Sequence, residues 1–238
     1  SVTVGNTAAP SPTTTTLPVA TTTTTSPSTT TTTTAAACPG DASGPTGSFT
    51  ISSSTVSDVG YTAATNVSLK FTLTDPCSPE SARFSNDGTT FGSSIPYISA
   101  NTTLSWSLSA GDGAKTVSAR ASDGAGNTTL LAAQSIVLDT TKPTVPGTLN
   151  RTVSCSGSNR TVHLSWGFST DVNLRGYRVY KSTDGVSWQA IDTASSYSYN
   201  DVHKKGLDSV RFYVVAYDRA GNQSDATNTT SLSKNQCA

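Results

Sequence analysis

Val67-Ser68-Leu69-Lys70-Phe71-Thr72-Leu73 alternates apolar and polar without a break, which puts Val67, Leu69, Phe71 and Leu73 on one face of an extended chain. A period of two is that of a strand buried on one side, because successive side chains leave a strand on opposite faces. The same alternation returns at Leu104, Trp106 and Leu108, at Val162, Leu164 and Trp166, and at Val210, Phe212, Val214 and Ala216. No stretch keeps a helical period. Short half-buried strands separated by turn signals predict sheets packed face to face, and the length suits two such units of about 100 residues. The fold class that follows is all-β: two β-sandwich domains in tandem after an extended, low-complexity N-terminal segment.

The boundaries follow from composition. Residues 1–37 hold seventeen threonines and no charged side chain. Asp139-Thr140-Thr141-Lys142-Pro143-Thr144-Val145-Pro146-Gly147 carries two prolines and a glycine, which end one strand and begin another. The expected units are therefore a Thr/Pro-rich segment 1–37, a sandwich 38–141 and a sandwich 142–238. Both halves carry one turn signature, Asp123-Gly124-Ala125-Gly126-Asn127 and Asp218-Arg219-Ala220-Gly221-Asn222. Asp accepts from backbone N–H groups further along and Gly supplies positive φ, so each reads as a tight hairpin of one design. Asn86-Asp87-Gly88, Gly111-Asp112-Gly113 and Thr183-Asp184-Gly185 are further hairpin signals. None has the D-x-D-x-D-G spacing of a calcium loop, so no metal and no cofactor is expected.

Arg83-Phe84-Ser85-Asn86-Asp87-Gly88, Leu104-Ser105-Trp106-Ser107-Leu108, Gly111-Asp112-Gly113-Ala114-Lys115-Thr116-Val117, the D-G-A-G-N turn and Ile136-Val137-Leu138-Asp139-Thr140-Thr141 together resemble an Ig-like repeat of secreted bacterial proteins, over about residues 48–141. About residues 144–233 resemble a fibronectin type III domain through Val145-Pro146-Gly147, Leu164-Ser165-Trp166, Gly176-Tyr177-Arg178-Val179-Tyr180-Lys181-Ser182 and Phe212-Tyr213-Val214-Val215-Ala216-Tyr217-Asp218. The position of that family's corner tyrosine is Val210 here, which departs from the pattern. The resemblance implies sandwich folds and extracellular scaffolding, and it carries no active site.

Four cysteines in a chain that reads as secreted imply two disulfides. Three pairings are possible; Cys38–Cys77 with Cys155–Cys237 keeps each bridge within one unit. No CxxC or HxxxH spacing points to zinc. Thr/Ser/Pro tracts are typical of O-glycosylated stalks. The candidate acceptors are Thr13, Thr14, Thr15 and Thr16, then Thr21, Thr22, Thr23, Thr24 and Thr25, then Thr29, Thr30, Thr31, Thr32, Thr33 and Thr34. Seven N-x-S/T sequons make Asn66, Asn101, Asn127, Asn150, Asn159, Asn222 and Asn228 candidate N-glycan sites.

Charged residues are only 13% of the chain and the formal net charge is zero, which leaves no electrostatic handle for nucleic acid or anionic lipid. No apolar run approaches the ~18 residues of a membrane span. With no methionine, Ser1 reads as a processed or an artificially cut end. Glu80 is the only glutamate, no serine elbow occurs, and His163 and His203 read as surface residues, the second in a polar turn. Trp106 and Trp166 fall on inward phases. Trp188, Tyr197 and Tyr199 are left as an exposed aromatic strip that could stack on a sugar. Val2, Val4, Leu17 and Val19 are apolar footholds through which residues 1–37 could contact a neighbouring subunit. The expected function is non-enzymatic and extracellular: a subunit of a surface filament or an adhesin stalk, with copies of itself as partners and glycans or other surface proteins as further ones. The alternative is the accessory region of a secreted polysaccharide-degrading enzyme.

Overall fold

The computed structural model describes residues 38–55, 57–99, 102–204, 209–233 and 235–236. The sites expected in residues 1–37, at Asn101 and at Cys237 lie outside them. The described residues contain strands and no helix, and therefore no helix long and apolar enough to cross a membrane. The described residues fall within one compact unit.

The first sandwich comprises β1 (Thr46–Ser53), β2 (Tyr61–Thr62), β3 (Asn66–Thr74), β4 (Pro79–Ser85), β5 (Ile95–Pro96), β6 (Thr103–Ser107), β7 (Gly113–Asp123) and β8 (Thr128–Leu138). One sheet has the order β1-β3-β6, the other β2-β8-β7-β4-β5. All pairings are antiparallel except β2 on β8, where Tyr61 faces Val137 and Thr62 faces Leu138. The second sandwich comprises β9 (Asn150–Ser156), β10 (Asn159–Ser165), β11 (Leu174–Ser182), β12 (Gln189–Ala194), β13 (Ser198–Lys204), β14 (Val210–Asp218) and β15 (Thr230–Leu232), in sheets β13-β10-β9 and β12-β11-β14-β15.

The alternating residues do fill the cores. Val67, Leu69, Phe71 and Leu73 are all buried, against Phe49, Phe84 and Val117. Phe84 meets Phe49 and Phe71 edge-on, with both centroids 5.5 Å away. Truncating a fully buried Phe to Ala costs about 3–5 kcal/mol, so this triad alone outweighs any single polar contact. In the second core Val162, Leu164 and Trp166 pack on Tyr177, Val179, Phe212 and Val214. Val210, at the corner-tyrosine position, is buried there as well. Trp106 is only half-buried: its ring lies 6.0 Å from Phe84, and its Nε1 donates to Asn86 Oδ1 at 2.8 Å.

His203 corrects the sequence reading. It lies in β13 rather than in a turn, is buried, and has Nε2 2.6 Å from Asp201 Oδ2, which also pairs with Lys181 at 2.9 Å. The alternation Tyr199, Asp201, His203 was masked by the polarity of its last two members. Burial lowers the His203 pKa, opposed by the Asp201 charge. His163 is half-buried on β10 and is held between its neighbour strands. Its Nδ1–H donates to Asn200 Oδ1 at 2.8 Å, and Nε2 meets Ser154 Oγ at 2.9 Å.

Candidate functional site

The two sandwiches repeat the same polar devices at equivalent places. At the end of β4, Asp87 Oδ1 accepts from Ser85 Oγ and from the N–H groups of Thr89 and Thr90; at the end of β11, Asp184 Oδ1 accepts from Ser182 Oγ and from Val186 and Ser187. These hydrogen bonds hold both carboxyls well below the usual range. The D-x-A-G-N hairpins match as closely. Asn127 N–H donates to Asp123 Oδ1 at 2.8 Å and Asn127 Nδ2 to Asp123 Oδ2 at 2.9 Å; the Asn222–Asp218 pair does the same, at 2.8 Å for both bonds. Gly126 and Gly221 supply the positive φ these turns need, at 93° and 98°.

Each hairpin asparagine has a second task. Asn127 Nδ2 also reaches Asp41 O at 3.2 Å, and Asn222 Nδ2 reaches Asp139 O at 2.7 Å. The segment that enters each sandwich is therefore clasped by that sandwich's own last hairpin. For the second sandwich the incoming segment is the inter-domain connection, so the clasp is a junction. Asn173 Nδ2 adds a bond to Asp139 Oδ2 at 2.7 Å, and Asp58 N–H bonds Arg219 O at 2.8 Å. Arg175 forms an ion pair with Asp58, and Arg219 lies over the Tyr61 ring. On the first sandwich's side Asp112 accepts from Thr140 N–H and Oγ1 and from Thr141 Oγ1, which lowers its pKa. Residues from both sandwiches thus fix Asp139, Thr140 and Thr141. Asn173 N–H also donates to Asp171 Oδ1 at 2.7 Å, and in the first sandwich Cys77 N–H donates to Asp75 Oδ1 at 2.7 Å while its side chain bonds covalently to Cys38.

The clasp also gathers carboxylates. Asp139, Asp171 and Asp218 bring one oxygen each within 4.8 Å of one another, and Asp41, Asp75 and Asp123 do so in the first sandwich. Burial raises the pKa of Asp171 and of Asp218; hydrogen bonds from Asn173 and Asn222 oppose this, and the neighbouring acids add to it. Asp123 is desolvated as well, yet the hydrogen bonds from Asn127, Gly126 and Ala125 together outweigh that and its pKa is lowered. Among the described residues these two hard-oxygen sets are the ones whose donors could hold a divalent cation. An open cleft of about 760 Å³ adjoins the second set, lined by Asp112, Leu138, Asp139, Lys142, Asp171 and Asn173.

The aromatic strip expected from Trp188, Tyr197 and Tyr199 is not formed. Tyr197 sits beside Tyr177 at 5.8 Å, and Tyr199 packs on the core from β13. Trp188 instead lies 4.5 Å from Tyr213, which stacks on Tyr180 at 4.7 Å and 18°. Tyr180 and Tyr213 are register partners on β11 and β14, and Arg178 lies over Tyr217 at 4.4 Å on the same outer face. The adjacent-strand partners were legible only once register was known.

Cys38–Cys77 is a disulfide, and Cys155 is disulfide-bonded as well; its expected partner Cys237 is outside the described residues. Of the sequon asparagines, Asn66, Asn150 and Asn159 are exposed. Asn127, Asn222 and Asn228 spend Nδ2, the atom that would carry a glycan, on internal hydrogen bonds.

No protein-family model and no curated protein matches the sequence. Solved structures do match in fold. The chicken CNTN1 FN1–FN3 domains align with a TM-score of 0.52 at 14% identity, over 77% of this chain and 67% of that one. Fibronectin(III)-like modules of Clostridium thermocellum CbhA align at 0.49 and 18% identity, over 79% and 94%. The fold is that of fibronectin type III-like sandwiches. At these identities the likeness extends to fold alone.

Proposed function

We propose that this chain is a non-enzymatic extracellular structural protein, a subunit of a surface filament or an adhesin stalk, which assembles through residues 1–37. The observation that carries the reading is the clasped junction: Asn222, Asn173 and Asp112 hold the connection between two sandwiches from both sides, and Asp58 bonds the second sandwich directly. A polar lock of this kind gives a tandem pair a fixed geometry, which a spacer or stalk requires and a flexible tether does not. The disulfides and the sandwich folds suit an extracellular setting. The uncharged Thr/Pro segment in front is rich in β-branched residues and prolines, which favour extended chain. At a polyproline-like rise of about 3.1 Å per residue, a segment of 37 residues reaches on the order of 115 Å, enough to pass along a neighbouring subunit. In this reading Thr13–Thr34 carry O-glycans and the exposed Asn66, Asn150 and Asn159 are the N-glycan sites. Immunogold labelling with antibodies to the sandwiches tests it on native material: label along surface appendages supports it, and label confined to soluble material opposes it.

A second reading, the accessory region of a secreted polysaccharide-degrading enzyme, is favoured by the Trp188–Tyr213–Tyr180 cluster, since planar aromatics on an outer sheet face are sugar-stacking groups. Saturable binding of a soluble polysaccharide that is lost in Trp188→Ala would establish it.

A further inference from the structure

We infer that the Cys38–Cys77 bridge reroutes tension that enters from the N-terminal segment, carrying it past β1, β2 and β3 and delivering it to the start of β4. The bridge joins residues 39 apart in sequence, and Cys77 lies in the turn between β3 and β4. The covalent path from residue 37 therefore skips residues 39–76, which contain the first three strands. A load applied at the N-terminus reaches Pro79 without having to pass through any hydrogen bond of β1 or β2.

The sheet register decides what this rerouting does. Pro79 faces Asp123 at one end of the sandwich, and Gly113 faces Leu138 at the other, where the chain leaves for the second sandwich. β4 is antiparallel to β7 and β7 to β8, so β4 runs parallel to β8. Tension at the start of β4 and at the end of β8 pulls the two strands in opposite directions along their axes. The ladders between them are loaded in shear, and their hydrogen bonds resist together rather than opening one after another. Those ladders run from Pro79↔Asp123 to Ser85↔Ser118, and from Gly113↔Leu138 to Ser122↔Thr128.

Without the bridge the load would meet only the Asn127 bond to Asp41 O before entering β1, which pairs only with β3. It would then reach β8 through β2, whose pairing is two residues long, with flanking bonds from Val137 N–H to Gly60 O and from Asp139 N–H to Thr62 O. The disulfide thus exchanges a two-residue clamp for ladders of six and nine register pairs. It also hides slack: the 39-residue span would release about 130–140 Å at 3.3–3.6 Å per extended residue. This load path is a property of the single chain, so it stands or falls separately from assembly into filaments.

The test is single-molecule stretching of the full chain, held at its two termini without reductant so that the bridge at Cys155 stays intact. Relative to wild type, Cys38→Ser with Cys77→Ser should unfold the first sandwich at lower force, with a contour-length increment longer by about 130–140 Å. A second variant leaves the cysteines intact and inserts about twenty Gly/Ser residues beside the fully exposed Val59. Its oxidised increment should equal that of wild type, because the inserted chain lies inside the bypassed loop. An unfolding force in the serine variant as high as that of wild type, equal increments in the two, or an insertion that lengthens the oxidised increment by about 70 Å, overturns the inference.

Discussion

Replacing Asn222 by alanine removes the side chain that joins the last hairpin to the inter-domain connection. Asn222 Nδ2 donates to Asp218 Oδ2 at 2.8 Å and to Asp139 O at 2.7 Å. Asp218 is buried, with its pKa already raised by desolvation, so the lost donor leaves a carboxylate less satisfied in a poorly hydrated place. A hydrogen bond to a charged group contributes about 1.5–3 kcal/mol and one to a backbone carbonyl about 0.5–1.5 kcal/mol, which sums to a loss of about 2–4.5 kcal/mol. For a sandwich of this size that lowers Tm by on the order of 10–20 °C. Calorimetry and denaturant titration measure it, with Asn127→Ala as the matched variant. Asn127 makes the same bond to Asp123 but reaches back to Asp41, not to another sandwich. Both variants should lose stability in their own sandwich. Only Asn222→Ala should also broaden the inter-sandwich distance distribution between spin labels on β6 and β12. A loss under about 0.5 kcal/mol, or an unchanged distribution in Asn222→Ala, refutes the clasp.

Non-reducing peptide mapping should recover Cys38–Cys77 and Cys155–Cys237 as separate linked pairs; a Cys77–Cys155 peptide contradicts this. Native chain should exceed 24.4 kDa in hexose-sized steps that map to Thr13–Thr34, and a native chain at the bare mass removes the glycan stalk. The acids should split by sign of pH dependence. The Asp171 pKa is raised in the fold, so its ionisation costs stability as pH rises through that value. Asp171→Asn should therefore gain on wild type as pH increases above about 4. The Asp184 pKa is lowered, so its contribution is present above the unfolded value of 3.8 and fades as pH falls. Asp184→Asn should lose to wild type at neutral pH and converge with it in acid. Parallel pH profiles for the two variants would contradict both assignments.

The strands were legible because alternation is a local signal: Val67 to Leu73 and Val210 to Ala216 face their cores as the period demands. The repeated hairpins were legible for the same reason, since each Asp caps a turn within four residues of itself. What escaped was everything assembled across strands. Asp139, Asp171 and Asp218 come from three separate segments, so no single-loop spacing could announce them. Tyr180 and Tyr213 meet only through the β11–β14 register, while the nearer-looking Trp188, Tyr197 and Tyr199 diverge to different places. His203 reads as a turn residue because Lys204 and Lys205 follow it, although with Tyr199 and Asp201 it completes an ordinary alternation in β13.

The most direct measurement is sedimentation and negative-stain microscopy of the full chain beside a chain lacking residues 1–37, both at high concentration. A filament subunit that assembles through this segment gives filaments from the full chain, and monomeric, folded particles from the truncated one. Native-length filaments from the truncated chain, or a full-length chain that stays monomeric, contradict the assembly role.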